Sequence, residues 1–304
     1  MKSVMLLFVC AASFAVAAPP ETKPAAEKLR IAVSVLPEAY FAERVAGDLA
    51  AVEVLVGPGQ SPHAYDPTPK QLELLSKCRV YFRIGIDFEN ALVPRIEKTF
   101  KNTRIVDLRA GVELRRMTSA EEDAHTHDEG EHHAADEPSA GAADPHTWLS
   151  PLNAKIQAKT IADTLAELAP EHAETFRRNL AAFQADLDAV HAELTKALAP
   201  LKGREVFVYH PAFGYFLDAY GLKQTPVEIG GKEPTARQLA ELIDRAKQAG
   251  VKVIFVQPQF PTKSADAVAT AIGGAVIPLD DLAKDYLANL RDMAHKIQEK
   301  LGRP

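Results

Sequence analysis

Seven large apolar residues, Phe176, Leu180, Phe183, Leu187, Val190, Leu194 and Leu198, recur at spacings of three and four. That period places them along one face of an α-helix. A helix over about residues 171–198 is roughly 40 Å long at 1.5 Å rise per residue. No glycine falls between Gly141 and Gly203. Ser150 and Pro151 read as N-cap and first residue of a preceding helix, and Pro170 as the opening of the long one. A span of this length reaches along two bodies, so the chain is expected to fold as two lobes on a rigid connector, with no flexible hinge.

The flanking halves have a common pattern of short apolar runs alternating with amphipathic helical stretches, which argues for parallel sheets with helical crossovers. Strands are expected at Leu29–Leu36, Ala51–Val56, Val80–Ile84 and Arg104–Leu108. In the second half they are expected at Glu205–Tyr209, Thr225–Ile229, Val251–Val256 and Ala275–Leu279. The expected fold class is α/β, with two Rossmann-like lobes of about four parallel strands each. The N-terminal lobe covers residues 28–168, the connecting helix 169–200 and the C-terminal lobe 201–304. No sequence repeat relates the two lobes.

Lys2, the apolar run from Val4 to Val16 and the small-residue pattern Ala15-Val16-Ala17 read as a signal peptide over residues 1–17. The run is shorter than the roughly 20 residues needed to span a bilayer. Val9 before Cys10 is a poor match to a lipoprotein signal, so a periplasmic location without a lipid anchor is expected. The formal net charge is −6, and losing Lys2 makes it about −7, which argues against a nucleic-acid partner. Cys78 is then the one remaining cysteine, so an internal disulfide is excluded. A length near 285 residues suffices for two cores.

Three histidines sit in separate short motifs: His63 in Pro62-His63-Ala64-Tyr65-Asp66-Pro67, His146 in Asp144-Pro145-His146-Thr147-Trp148, and His210 in His210-Pro211-Ala212-Phe213. Asp280 closes an apolar run near the C-terminus. Imidazoles with one carboxylate suit zinc, and spacings of about seventy residues mean that only tertiary structure brings them together. In open α/β sheets ligands bind beyond the carboxyl ends of the strands. His210 and Asp280 directly follow expected strands, His63 lies in the loop after the second, and His146 just precedes the helix capped by Ser150. Facing lobes would each contribute two ligands to an ion in the cleft between them. His172, His191 and His295 have no such position and read as exposed helix residues.

Residues 120–143 contain no isoleucine, leucine, valine or aromatic residue, and carry eight acids together with His125, His127, His132 and His133. Such a composition buries too little apolar surface to fold alone. The segment reads as a mobile loop in the first lobe that collects metal weakly, since clustered imidazoles and carboxylates bind divalent ions when the imidazoles are neutral.

With these motifs, Gly59–Pro69 around His63, Asp144–Pro151 around His146, His210-Pro211-Ala212-Phe213 with Tyr215-Phe216, Glu233-Pro234-Thr235-Ala236 and Phe255–Phe260, the chain resembles the metal-specific solute-binding proteins of bacterial ABC importers over essentially its whole mature length. It is most similar to their zinc branch, the ZnuA type. The resemblance implies two α/β lobes on one long helix, small lobe motions, and an interlobe metal site formed by His63, His146, His210 and Asp280. Relatives that carry manganese tend to have a carboxylate at the third position, so His210 favours zinc. The family's usual Asp-Pro-Leu stands here as Asp280-Asp281-Leu282, which leaves the fourth ligand open between Asp280, Asp281 and a water. The implied function is capture of Zn2+ as transported ligand and delivery to the membrane permease of an ABC importer, by a monomer without enzymatic chemistry. The alternatives are a manganese or iron carrier of the same family and a secreted zinc hydrolase.

Overall fold

A computed structural model describes residues 28–125, 141–227, 236–248, 250–260 and 263–302. The expected leader, His127, His132, His133, Ile229 and Glu233–Thr235 lie outside the described residues.

The chain builds two parallel sheets of four strands. The first contains β1 (Leu29–Val33), β2 (Ala50–Val54), β3 (Val80–Arg83) and β4 (Arg104–Asp107) in the order β2-β1-β3-β4. The second contains β5 (Glu205–Val208), β6 (Lys223–Pro226), β7 (Val253–Val256) and β8 (Ala275–Pro278) in the order β6-β5-β7-β8. Every pairing is parallel. The two sheets therefore have one topology, and the expected α/β architecture of two four-stranded lobes is the observed one. The inner strands β3, β5 and β7 are almost wholly buried, as parallel strands covered on both faces must be.

Among the described residues ten helices cover these sheets: α1 (Leu36–Ala46), α2 (Pro69–Ser76), α3 (Glu89–Thr99), α4 (Ser119–His125), α5 (Pro151–Leu168), α6 (Ala173–Leu198), α7 (Gly214–Ala219), α8 (Ala236–Gln248), α9 (Lys263–Ala271) and α10 (Tyr286–Leu301). Helix α6, of 26 residues, is about 39 Å long. Six of its seven periodic apolar residues are buried and the seventh, Leu180, packs against the same core. That core is continuous through both lobes, joining Ile31 and Phe82 of the first sheet to Val208 and Phe255 of the second by way of Phe183, Leu187 and Leu290. Ser150 caps α5 by accepting from the Asn153 N–H, with Pro151 in the first turn.

All eight expected strands exist, with shifted ends that have local causes. β1 stops at Val33 because Pro37, in the first turn of α1, presets the backbone for helix. β6 begins at Lys223 and ends at Pro226, two to three residues before the expected run, because its register on β5 starts at Glu205↔Lys223; the polar edge residues Lys223 and Gln224 carry no hydrophobic signal. Val251 closes the end of α8 by donating to the Ala246 carbonyl after Gly250 at φ 66°, so β7 waits until Val253. Residues 170–172 form a 3-10 turn and α6 starts at Ala173.

Two expectations need correction. The segment 120–143 is not loose at its ends: α4 covers Ser119–His125, and an antiparallel bridge pairs Arg116 with Ala143. Its acids explain this, because Glu121 is buried against Arg115. Of the three helix histidines only His295 is exposed; His172 is half-buried, and so is His191, whose ring meets the Tyr220 hydroxyl.

Candidate metal centre

The loop after β2 brings His63 inward through a short 3-10 turn, Pro62–Ala64. Both ends of this loop are braced. Gly57 N–H donates to Gln60 Oε1 at 2.8 Å, and Thr68 caps α2 by accepting from the Gln71 N–H, while Gln71 Nε2 donates to the Leu55 carbonyl at 2.7 Å. The His63 side chain is only 5% exposed and its Nδ1 faces Asp87 Oδ2 at 3.3 Å. Asp87 belongs to the turn after β3, so two neighbouring loops of the first lobe orient this ring.

His146 arrives from the other side of the first lobe, after α4 and before α5. Its ring is buried. Asp144 Oδ1 accepts from both the His146 N–H at 3.0 Å and Nδ1 at 2.8 Å. A carboxylate only accepts, so Nδ1 carries the proton and Nε2 offers its lone pair. Trp148 packs edge-on to the ring at 5.3 Å between centroids and donates from Nε1 to the Asp281 carbonyl; Tyr286 donates to the Trp148 carbonyl at 2.6 Å. The segment bearing His146 is thus pinned to the second lobe.

His210 follows β5. Gln257, fully buried at the end of the neighbouring β7, clamps its backbone: Oε1 accepts from the His210 N–H and Nε2 donates to its carbonyl at 2.8 Å. Phe260 stacks on the His210 ring at 5.0 Å.

The three histidines converge. One nitrogen from each lies within 4.8 Å of the others, and His146 Nε2 and His210 Nε2 are 3.4 Å apart. Two nitrogens each about 2.0–2.1 Å from a tetrahedral zinc stand about 3.3–3.4 Å apart, so this pair already has the spacing of two corners of a zinc shell. His63, its Nδ1 turned to Asp87, brings a third ring within reach, one nitrogen of each histidine lying within 4.8 Å of the others.

The carboxylates are placed differently. Neither Asp280 nor Asp281 belongs to the close group, which among the described residues contains the three histidines alone. Asp280 Oδ1 accepts from the Leu282 N–H at 2.9 Å and from Gln259 Nε2 at 3.2 Å, and its carbonyl accepts from Asn289. Asp281 is buried, and its Oδ1 has no hydrogen-bond partner. Burial pushes its carboxyl up to about 7, His146 drawing it down and Asp280 adding to the rise. Asp144 and Asp87 hold the rings of His146 and His63, and Gln257 holds the backbone of His210, contacts that local sequence pattern does not assign. Asp144 stands two residues before His146, and Gln257 lies within the Phe255–Phe260 motif. His125 is the last residue of α4.

The family profile described as ZnuA, zinc-uptake complex component A, periplasmic, matches residues 31–300. The chain is 31% identical over 288 residues to the high-affinity zinc uptake system protein ZnuA of Bacillus subtilis, covering 91% of this chain and 88% of that protein. It is 30% identical over 295 residues to the zinc-binding lipoprotein AdcA of Streptococcus pneumoniae, covering 94% of this chain but only 57% of that longer protein. It thus spans little more than half the length of AdcA. Among solved structures, a crystal structure of ZnuA superposes with a TM-score of 0.80 at 38% identity, over 90% of this chain and 99% of that one. A zinc-bound crystal structure of a ZnuA deletion mutant superposes with a TM-score of 0.78, also at 38% identity, over 90% of this chain and 98% of that one.

Proposed function

We propose a function from one premise: this chain belongs to the ZnuA family, the periplasmic component A of zinc-uptake complexes. It binds Zn2+ outside the cytoplasmic membrane and delivers it to the permease of an ABC importer. The observation that carries this reading is the meeting of His63, His146 and His210, drawn from three distant segments, with His146 and His210 at a nitrogen spacing of 3.4 Å. The fourth position falls to the Asp280-Asp281 turn or to a water. Asp280 is the residue that the family resemblance implies, and the unpartnered oxygen of Asp281 supports the neighbouring choice equally well. Zinc is cargo in this reading, and the protein carries out no chemistry on it. Residues 1–17 act as the exported leader, the carrier works as a monomer, and His125, His127, His132 and His133 form a weaker collecting site.

Competition of the metal-free mature protein against a chelator, with zinc and with manganese, tests the reading. One tight zinc equivalent that manganese does not displace is expected, and preference for manganese would move the chain to another branch of the family. His210→Ala should weaken zinc binding on the order of 100-fold or more, because it removes one of the nitrogen ligands outright, while circular dichroism stays unchanged. Asp280→Asn and Asp281→Asn, titrated separately, identify the carboxylate by whichever loses affinity.

A further inference from the structure

Glu121 of α4 lies at the root of the acidic, histidine-bearing insertion, with a side chain only 1% exposed. Its two oxygens serve two chains of hydrogen bonds. On one side Arg115 donates to it from Nη2 at 2.8 Å and from Nη1 at 3.0 Å, and the same guanidinium donates to Asp144 Oδ2 at 3.2 Å. Asp144 is the carboxylate that holds His146 Nδ1. On the other side Gln224 of β6 donates from Nε2 to Glu121 Oε1 at 2.8 Å and to the Pro211 carbonyl at 3.2 Å, while its Oε1 accepts from the Phe213 N–H at 2.7 Å. Those are backbone groups of the turn that carries His210.

Two further features fix this junction in place. The Tyr215 hydroxyl accepts from the Arg115 N–H and donates to the Asp144 carbonyl, and Arg115 Nε reaches Asp218 of α7 at 2.7 Å. Gly214, the first residue of α7, leaves the room required: a Cβ there would stand 2.6 Å from both Arg115 Cζ and Asp144 Oδ2. The root itself is laced, Asp144 N–H donating to the Arg115 carbonyl and Met117 N–H to that of Ala142, both at 2.9 Å.

We propose that Glu121 is a positioning residue of the metal centre, which through Arg115–Asp144 and through Gln224 sets the separation of His146 and His210 across the two lobes. The described root of the insertion is then part of the centre's framework. The inference rests on the three histidines being the zinc site.

Glu121→Gln in the full mature chain removes the charge and keeps the shape. Loss of a group that orients a metal ligand from outside typically costs about 10-fold or more in affinity, so zinc affinity measured by chelator competition should fall on the order of 10-fold or more. The visible spectrum of the cobalt-substituted protein should lose tetrahedral intensity, because the two nitrogens no longer hold their spacing. Gly214→Ala, which pushes on Arg115 and Asp144 without altering a charge, should shift affinity and spectrum in the same direction, and it stands in if Glu121→Gln fails to fold. Unchanged zinc affinity with an unchanged cobalt spectrum in either folded variant overturns the inference, even if melting temperature drops. Absence of tight zinc binding in the unaltered protein would instead overturn the functional reading beneath it.

Discussion

Asp107 illustrates what one side chain contributes near the first lobe's cleft. Its Oδ2 accepts from Arg83 Nη2 and from Arg109 Nη2, each at 2.7 Å, and its Oδ1 accepts from the Arg109 N–H at 2.9 Å. Burial pushes the carboxyl up, but the Arg109 side chain and N–H together with Arg83 outweigh burial and hold it down at about 2. The folded pKa is thus below the unfolded value of about 3.9. The resulting stabilisation is present above that value and disappears as pH falls toward 2. Urea unfolding of Asp107→Asn against the unaltered protein should show a stability gap that is constant from pH 7 to 5 and closes between about 4 and 2. A gap that stays open at pH 2 would assign the loss to packing. The three converging histidines were legible at this scale because each sits in a distinctive motif at a predictable topological position. Arg115 and Glu121 were not, because their partners Asp144 and Gln224 stand 29 and 103 positions away and contacts of that kind leave no local pattern.

At the scale of elements, the turn after β3 shows how a short loop is made to present a side chain. Gly85 has φ 82°, and a Cβ there would lie 1.9 Å from Arg109 Nη1. Its N–H donates at 2.6 Å to Glu89, whose buried carboxylate also accepts from the Ile84 N–H. This turn carries Asp87 to His63. Gly85→Ala therefore meets both a left-handed backbone and a pinned guanidinium, and should cost more than about 1 kcal/mol. The same substitution should weaken zinc binding, by chelator competition, if Asp87 is displaced. In α6 the argument is packing. Leu187 is fully buried in the core shared by both lobes, and Leu187→Ala should destabilise by about 2–5 kcal/mol in chemical denaturation, with a single cooperative transition. Two separated transitions would mean that the lobes unfold independently and that the shared core does not couple them.

For the whole molecule, the continuity of that core limits how the cleft responds to zinc. Helix α6 runs along both lobes, α10 packs on it, and Lys284 of the second lobe pairs with Glu43 of the first at 2.8 Å. Trp148 and Tyr286 add hydrogen bonds between the lobes. A hinge would have to break buried apolar packing, so the response expected is local adjustment around the histidines. Small-angle scattering of the metal-free and zinc-loaded protein should show radii of gyration within about 1 Å, the scale of preorganised binding. A larger compaction on zinc addition would require a hinge that α6 denies.

Local pattern alone specified the eight strands, the long helix and its buried face, because hydrophobic period and helix punctuation are written in neighbouring residues. It also specified the three imidazoles and their suitability for zinc. Strand ends escaped it where a partner strand sets the register, as at Lys223, or where a helix cap takes residues, as at Val251. The ends of the acidic segment escaped it too: composition counts its acids, whereas Glu121 is ordered by an arginine and a glutamine from outside the segment. Only tertiary structure decided that His146 and His210 stand 3.4 Å apart, because that distance depends on how two lobes pack on one helix, and packing is a property of residues that never meet in sequence.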